Sequence, residues 1–305
     1  MHDTDGIRCN QLSKQYHGTS VLALDHLTLR VNRGEVYGFL GANGAGKTTT
    51  IRLLMNFLQP SSGDAVILGM DTVDDSVEIK KHVGYLSGDI SLYPKATGKQ
   101  LLDYLGKLQG MESTNYRTTL EQRFQAELDK PIASLSKGNK QKLGILQALM
   151  HEPDVLILDE PTSGLDPLMQ EAFYDSLREA KERGAAVFMS SHNLTEAQRV
   201  CDRVGIIKNG KLLREQTITS ESSLDNPIFR VRFASEAAAE KMKKSPDMNF
   251  LAQEDDRTIV VRPTGTISRG LKVLAQQDIV EFSSQALDLE SEFIEYYGDE
   301  HAADN

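Results

Sequence analysis

The chain has 305 residues, of which 39% are hydrophobic and 26% charged, and it carries a net charge of −10 with a pI near 5.3. The length allows one large domain and a small one, while the acidic balance argues against a nucleic-acid surface as the main partner. The only cysteines, Cys9 and Cys201, stand at unrelated positions, which excludes a disulfide framework or a cysteine metal site and suits a reducing compartment.

The first residues contain no apolar stretch of signal-peptide length, and no window approaches the roughly 20 apolar residues that cross a bilayer. We therefore expect a cytoplasmic chain that acts at a membrane, if at all, from outside the lipid.

Residues 4–40 have the pattern of strands. The segment VLALDHLTLRV alternates apolar and polar residues, as in a half-buried antiparallel strand, and EVYGFLG is a short apolar run typical of a buried central strand. A helix begins within GKTTTIRLLMNFL, and PSSGDAVILGM predicts a turn followed by a strand.

The middle of the chain, about 90–150, predicts a helical insert, because TGKQLLDYLGKLQG and TTLEQRFQAELD have helical spacing of apolar residues. Two short apolar runs follow, VLILD and AAVFM, separated by the helical segment LMQEAFYDSLREAKERG. Strand, helix and strand in this order indicate a parallel core. The segment GIIKNGKLL predicts a hairpin around Asn209 and Gly210.

A boundary is predicted near residue 220. The elements beyond it follow the order βαββαβ, which allows a small ferredoxin-like α+β domain. The last segment, LDLESEFIEYY, predicts a helix with Leu289, Phe293 and Tyr297 on one face, a stripe that is usually a core face or a partner contact.

Residues 41–48, GANGAGKT, match the phosphate-binding pattern G-x-x-x-x-G-K-S/T between a predicted strand and a predicted helix. The glycines allow the backbone to wrap phosphates, and the helix N-terminus supplies positive potential. Lys47 is placed to reach the β- and γ-phosphates, and Thr48 to offer its hydroxyl to Mg²⁺.

The two apolar runs end in residues that suit phosphate chemistry. Asp159 could hold Mg²⁺ through water, and Glu160 could polarise the water that attacks the γ-phosphate. His192 could contact the γ-phosphate, since open α/β sheets bind ligands at the carboxyl edge of their strands. The alternative interpretation is a solvated acidic loop and a structural histidine.

Two further segments have both a local and a functional interpretation. In LSKGNKQK, Ser136 is a helix cap, yet Gly138 is a poor first-turn residue, so the helix N-terminus could instead await an anion. In SGLDP, Asp166 is a helix cap before Pro167. Tyr16 could be an ordinary strand aromatic.

Together these motifs, in this order and spacing, resemble the nucleotide-binding subunit of an ABC transporter over about residues 5–218. The LSKGN form, the SGLDP segment and the C-terminal ending look most like the ABC-2 exporter group, whose membrane spans are on a separate chain. The resemblance implies an α/β fold: a P-loop NTPase core with an antiparallel β subdomain and a helical insert in domain 1–219. The pattern of elements beyond the boundary adds a C-terminal α+β accessory domain at 220–305.

The resemblance also implies roles for individual residues. Tyr16 matches the aromatic that stacks on adenine, Asp159 the Mg²⁺ carboxylate, Glu160 the catalytic base and His192 the switch histidine. The ATP-binding set is Tyr16, Gly41, Ala42, Asn43, Gly44, Ala45, Gly46, Lys47, Thr48 and Thr49. Residues that match contacts to ATP bound by the other subunit are Ser136, Gly138 and Asp166.

The chain departs from the family pattern in two places. Lys137 and Asn139 replace a glycine and the glutamine of the usual Leu-Ser-Gly-Gly-Gln signature. Gly88 stands where a glutamine is expected, and Asp89 is the candidate to replace its water or Mg²⁺ contact.

The implied function is an ATP-binding and ATP-hydrolysing subunit that dimerises around two ATP with Mg²⁺, as a homodimer or heterodimer, and powers export through separate transmembrane permease subunits. The expected location is cytoplasmic, peripheral on the inner face of the cell membrane, without a nucleic-acid partner. The alternatives are a soluble ABC ATPase that acts on nucleic acid or ribosomes, and a regulatory ATP-binding module without turnover.

Overall fold

The computed structural model describes residues 5–111, 115–218 and 228–285. The chain divides after Thr217 into two compact units. The predicted helix with Leu289, Phe293 and Tyr297 on one face lies outside the described residues. Among the residues that the structure describes, no helix combines the length and apolar character needed to span a bilayer.

The first unit begins with an antiparallel sheet in the order β2-β1-β4-β5. Its strands are β1 (Asp5–Gln15), β2 (Leu22–Asn32), β4 (Ser62–Ile67) and β5 (Met70–Asp71). The alternation predicted for β2 is confirmed from Leu27 to Asn32, where every second residue is buried. Polar residues on the other face keep one side of this sheet in solvent.

The second sheet of this unit has six strands in the order β10-β9-β3-β8-β7-β6. They are β3 (Val36–Leu40), β6 (Val83–Leu86), β7 (Val155–Asp159), β8 (Ala186–Ser191), β9 (Arg203–Lys208) and β10 (Lys211–Thr217). All pairs are parallel except β9–β10, the predicted hairpin, whose turn residues Asn209 and Gly210 both have positive φ. Every residue of β3, β7 and β8 is buried, as their apolar composition predicts.

Seven α-helices accompany these sheets in the described part of the first unit. They are α1 (Lys47–Leu54), α2 (Ser76–His82), α3 (Gly98–Leu108), α4 (Asn115–Phe124), α5 (Lys137–Leu149), α6 (Pro167–Glu182) and α7 (Leu194–Val200), with a 3₁₀ turn at Ile132–Ser134. Helices α3 to α5 occupy the predicted helical insert. The sequence analysis did not predict α2 and α7.

The core of the first unit packs the two sheets together around α1. Phe188 in the middle of β8 lies with its ring centroid 5.2 Å from that of Phe39 and 6.1 Å from that of Tyr37. The Tyr37 hydroxyl donates to Glu215 across the sheet at 2.8 Å. This packing fixes strands β3 and β8 side by side, and with them the loops that follow.

The second unit has the predicted order of elements. They are β11 (Ile228–Phe233), α8 (Glu236–Lys243), β12 (Met248–Asp255), β13 (Thr258–Pro263), α9 (Ile267–Leu274) and β14 (Ile279–Gln285). The strands form an antiparallel sheet in the order β12-β13-β11-β14. Its core includes Phe229, Phe233 and Ile259 from the sheet with Met242 and Leu274 from the helices.

Candidate functional site

The loop of residues 41–48 wraps from the end of β3 to the start of α1, the strand–loop–helix context that the motif requires. Gly46 has φ 116° and precedes Lys47, the first residue of the helix, without a side-chain cap. A Cβ at position 46 would lie 2.9 Å from the Ala23 carbonyl oxygen, so only glycine fits. Because the first turn also has no acidic residue, its N–H groups face an anion site without competition.

The ammonium group of Lys47 is held by the loop itself. It donates to the carbonyl oxygen of Gly41 at 2.5 Å and to that of Ala42 at 3.2 Å, and it lies 3.3 Å from Glu160 Oε1. The side chain is only 6% exposed. The positive charge is therefore fixed in place under the loop.

Thr48 and Asp159 converge from different parts of the chain. The Thr48 hydroxyl donates to Asp159 Oδ2 at 3.0 Å, and the Ser190 hydroxyl donates to the other carboxylate oxygen at 2.5 Å. Within the described ranges, no three His, Cys, Asp or Glu side chains form a cluster that would hold a metal ion. Mg²⁺ typically takes one or two protein carboxylates together with substrate phosphates, so this hydroxyl and carboxylate fit Mg²⁺ entering with a nucleotide.

Glu160 and His192 form the second close pair at this edge. His192 Nδ1 lies 2.7 Å from Glu160 Oε2. The Glu160 backbone is left-handed, with φ 49°, and its N–H donates to the Ser190 carbonyl oxygen at 3.3 Å. A carboxylate that is partly exposed and held by an imidazole is suited to accept a proton from a water molecule.

These side chains surround one cavity of about 420 Å³ at the carboxyl ends of the parallel strands. Its walls include Asn43, Gly44, Gly46, Lys47, Thr48, Thr49, Asp159, Glu160 and His192. Ala42 also lines the cavity, whereas Gly41 contributes its carbonyl to Lys47 and Ala45 gives its carbonyl to the Gly210 N–H at 2.9 Å.

Tyr16 lies next to the P-loop but not in a strand, which corrects the interpretation of a strand aromatic. Strand β1 ends at Gln15 because its pairing with β2 begins at Leu22, and Tyr16 opens the turn between them. The Tyr16 hydroxyl is 3.3 Å from Thr49 Oγ1, and the residue is 37% exposed. Its ring is therefore partly exposed beside the start of α1, with the Lys14 ammonium nitrogen 5.9 Å from the ring centroid.

Gly88 and Asp89, the two residues at the position of the expected glutamine, both line the cavity. A Cβ on Gly88 would lie 3.3 Å from Asp159 Oδ2, so the side chain that glycine lacks would point at this carboxylate. Asp89 is exposed at the cavity wall.

Ser136, Gly138 and Asp166 do not line this cavity. Ser136 caps α5 by accepting from the Asn139 N–H at 3.2 Å, and Asp166 caps α6 by accepting from the Met169 N–H at 3.0 Å. The segments that begin α5 and α6 are neighbours, because a Cβ on Gly138 in the first would lie 3.0 Å from the Gly164 carbonyl oxygen in the second. The local interpretation of both segments as helix starts is confirmed.

The sequence analysis assigned no role to two residues that shape the site. Ser190, paired with Asp159 across β7 and β8, bonds both the Asp159 carboxylate and the Glu160 backbone. Gln141, on the first turns of α5, donates to the Pro161 carbonyl oxygen at 2.6 Å. Ser190 had a signal in the sequence, its place directly before the strand-end Ser191 and His192, whereas nothing local marks Gln141.

The family model described as "ABC transporter" matches residues 24–163. One curated relative is YbhF of Escherichia coli K12, a probable multidrug ABC transporter ATP-binding protein, with 38% identity over 69% of this chain. A second is YhcH of Bacillus subtilis 168, an uncharacterized ABC transporter ATP-binding protein, with 32% identity over 96% of this chain. A third is BcrA of Bacillus licheniformis, a bacitracin transport ATP-binding protein, with 40% identity over 68% of this chain. The matched parts cover 37%, 96% and 69% of these relatives, so the match spans just over a third of YbhF.

Solved structures share the fold of the first unit. The structure of an ATP-binding subunit of an ABC transporter matches with a TM-score of 0.66 and 31% identity, over 71% of this chain and 91% of that one. A dimeric structure of MJ0796, a bacterial ABC transporter cassette, matches with a TM-score of 0.64 and 22% identity, over 70% and 99%.

Proposed function

Because the chain belongs to the family of ABC transporter ATP-binding proteins, we propose that it binds and hydrolyses ATP as the energy-supplying subunit of an exporter. The observation that carries this proposal is the convergence of Lys47, Asp159, Glu160 and His192 on one cavity at the carboxyl edge of the parallel strands. A cation, a metal-binding carboxylate and a proton acceptor are the three groups that phosphoryl transfer to water requires.

In this proposal the loop of residues 41–48 binds the phosphates. Lys47 exchanges the Gly41 and Ala42 carbonyl oxygens for oxygens of the β- and γ-phosphates, and the α1 N–H groups complete the cradle. The exposed ring of Tyr16 beside Thr49 supports adenine stacking.

Thr48 and Asp159 would hold Mg²⁺, with Asp89 contributing from the cavity wall through water. Mg²⁺ held there would supply positive charge beside the phosphate oxygens. Ser190 keeps the Asp159 carboxylate aimed at this position through its 2.5 Å hydrogen bond.

Glu160 accepts the proton of the attacking water in this scheme. His192 Nδ1 fixes one carboxylate oxygen at 2.7 Å and leaves the other ring nitrogen for the γ-phosphate. The left-handed backbone at Glu160 is the kind of local strain that persists at functional sites.

Ser136, Gly138 and Asp166 lie outside the cavity of their own chain, which supports a second copy or a related subunit as the owner of the ATP they contact. ABC cassettes dimerise, as the dimeric structure of MJ0796 illustrates. Two subunits face to face would each complete the other's site. ATP would shift the equilibrium towards this closed dimer, because it contacts both subunits only when they are closed.

Separate transmembrane permease subunits are the proposed partners, with the chain peripheral on the inner face of the cell membrane and no nucleic acid bound. The names of YbhF (multidrug) and BcrA (bacitracin transport) support export and the ABC-2 group. We divide the chain into the ATPase domain 1–219 and the accessory domain 220–305, whose strand order supports a ferredoxin-like fold.

The substitution Glu160→Gln tests the proposal. It keeps the shape of the side chain but removes the proton acceptor, so we expect ATP hydrolysis to fall about 100-fold or more while ATP still binds. Light scattering with chromatography should then detect a dimer that persists only with ATP.

The exposed Glu182 on α6 provides the control, and Glu182→Gln should hydrolyse ATP like the wild type. Near-normal hydrolysis by Glu160→Gln would exclude its role as the base. A variant that binds ATP yet stays monomeric at every concentration would exclude the shared site.

A further inference from the structure

The mechanism above makes no use of Glu196, a carboxylate buried close to the site. Glu196 lies in the first turn of α7, only 5% exposed. Its Oε2 accepts from the Ser191 hydroxyl at 2.6 Å, whereas its Oε1 is buried without a hydrogen bond among the described residues. An acceptor left unpaired in the interior costs free energy, so its presence calls for a function.

The surroundings of this carboxyl group link it to both members of the Glu160–His192 pair. Burial raises the pKa of Glu196, the hydroxyls of Ser191 and Thr162 lower it, and the charge of Glu160 raises it. Ser191 directly precedes His192, and Thr162 follows Glu160 by two residues. Glu196 therefore lies between the loop after β7 and the loop after β8.

The Glu160–His192 contact depends on the relative position of these two loops. The His192 side chain is 65% exposed and bonded at 2.7 Å to Glu160, and the Glu160 backbone is left-handed. A solvent-exposed imidazole that pairs with a carboxylate on a strained loop requires a support beneath the two loops to hold one geometry.

We propose that Glu196 is a positioning residue for hydrolysis: its buried carboxyl group anchors Ser191 beside the loop that carries Glu160 and so holds His192 against Glu160. This inference rests on the proposed function, because it acts through His192. In it, Oε2 anchors the strand end at Ser191, and Oε1 is the acceptor that remains for the loop after β7, where Thr162 lies.

The test compares Glu196→Leu with Glu196→Gln in the full-length chain. Leucine removes both acceptors, so we expect kcat for ATP hydrolysis to fall about 10- to 100-fold, since small misplacements of catalytic groups have effects of this size. The dissociation constant of a fluorescent ATP analogue should change less than about twofold, because Lys47 and the loop of residues 41–48 do not contact Glu196. Glutamine keeps an acceptor for Ser191 and can bond Thr162, so it should restore kcat to within about threefold.

A double-mutant cycle separates positioning from general destabilisation. In a His192→Ala background, Glu196→Leu should cause little further loss, because the residue it positions is already absent. Gln198→Leu, an exposed change on the same helix, is the matched control and should leave kcat unchanged.

Three results would overturn the inference. The first is a fall in kcat of the double variant equal to the product of the two single falls; the second is a loss of affinity for the ATP analogue large enough to explain the slower hydrolysis. The third is a Glu196→Gln variant as slow as Glu196→Leu. The proposed function would fail differently, because the wild-type chain itself would then show no ATP hydrolysis.

Discussion

Two left-handed residues show how the backbone shapes the site at the residue scale. Gly46 has φ 116° and is enclosed by the Ala23 carbonyl oxygen, so glycine is required both by its conformation and by the available space. Glu160 has φ 49° despite its side chain, which costs about 1–2 kcal/mol. Hydrogen bonds from its N–H to Ser190, and from Gln141 to the following Pro161, stabilise that conformation.

We predict that Gly46→Ala will weaken ATP binding at least about tenfold, because a Cβ 2.9 Å from a backbone oxygen displaces the loop whose N–H groups we propose as the phosphate site. Titration with a fluorescent ATP analogue measures this. Gly110→Ala is the control: Gly110 also has positive φ, at 66°, but has open space around it. Its cost should be limited to about 1–2 kcal/mol of stability, with ATP binding unchanged. Wild-type binding by Gly46→Ala would contradict a backbone phosphate site.

At the element scale, an ion pair fastens the helical insert to α6. Arg123 of α4 donates from its two Nη atoms to the carboxylate of Glu179 at 2.9 and 2.6 Å, and also to the Ser176 hydroxyl at 2.8 Å. The hydrogen bonds from Arg123 hold the pKa of Glu179 below its ordinary value of 4.5. Helix α4 has few buried residues of its own, so this two-point contact fixes its position.

The lowered pKa of Glu179 predicts a pH dependence of the free energy of unfolding. Because the folded state favours the carboxylate, the pair contributes stability above the ordinary pKa of 4.5 and loses that contribution as the pH falls through the lower, folded value. We expect Glu179→Gln to be less stable at neutral pH by about 0.5–1 kcal/mol, a small value because the carboxylate is partly exposed. Urea unfolding should show this difference shrinking below pH 4.5, with Glu182→Gln unaffected; a difference independent of pH would contradict the charge-based explanation.

At the scale of the whole molecule, the chain has two compact units with separate hydrophobic cores. The first core is built around Phe39 and Phe188, and the second around Phe229 and Phe233. The cavity with Lys47 and every residue that lines it belong to the first unit. We therefore expect nucleotide binding to depend on the first core.

We predict that a chain ending at Thr217 folds and binds an ATP analogue with a dissociation constant within about threefold of that of the full chain, because it retains the complete first core and cavity. Circular dichroism during heating and the same titration measure both properties. A second variant, Phe233→Ala in the full chain, removes a fully buried ring of the second core and should lose about 3–5 kcal/mol in that unit only. Loss of ATP binding in either protein would show that the second unit supports the site.

Elements with strong local patterns were predictable, and weakly patterned ones were not. Strands β3, β7 and β8 are buried throughout and, except for the polar carboxyl ends of β7 and β8, apolar, because helices or sheets cover both faces. The hairpin at Asn209 and Gly210 follows from two residues that tolerate positive φ. Helices α2 and α7 have only seven residues each, which is too short for a clear apolar period. In α7 one of the few buried positions is the acidic residue Glu196, so the helix lacks the run of buried apolar residues from which it could be predicted.

By itself, the sequence determined the phosphate loop, the acidic pair, the strand-end histidine and the helix caps, because each depends on residues close together in the chain. Only the tertiary structure decided which distant side chains meet: Thr48 with Asp159 across 111 positions, Glu160 with His192 across 32, and Glu196 with Ser191 beneath them. The physical reason is that strand order and register in the central sheet set these distances, and both arise from packing of the whole core rather than from any local segment.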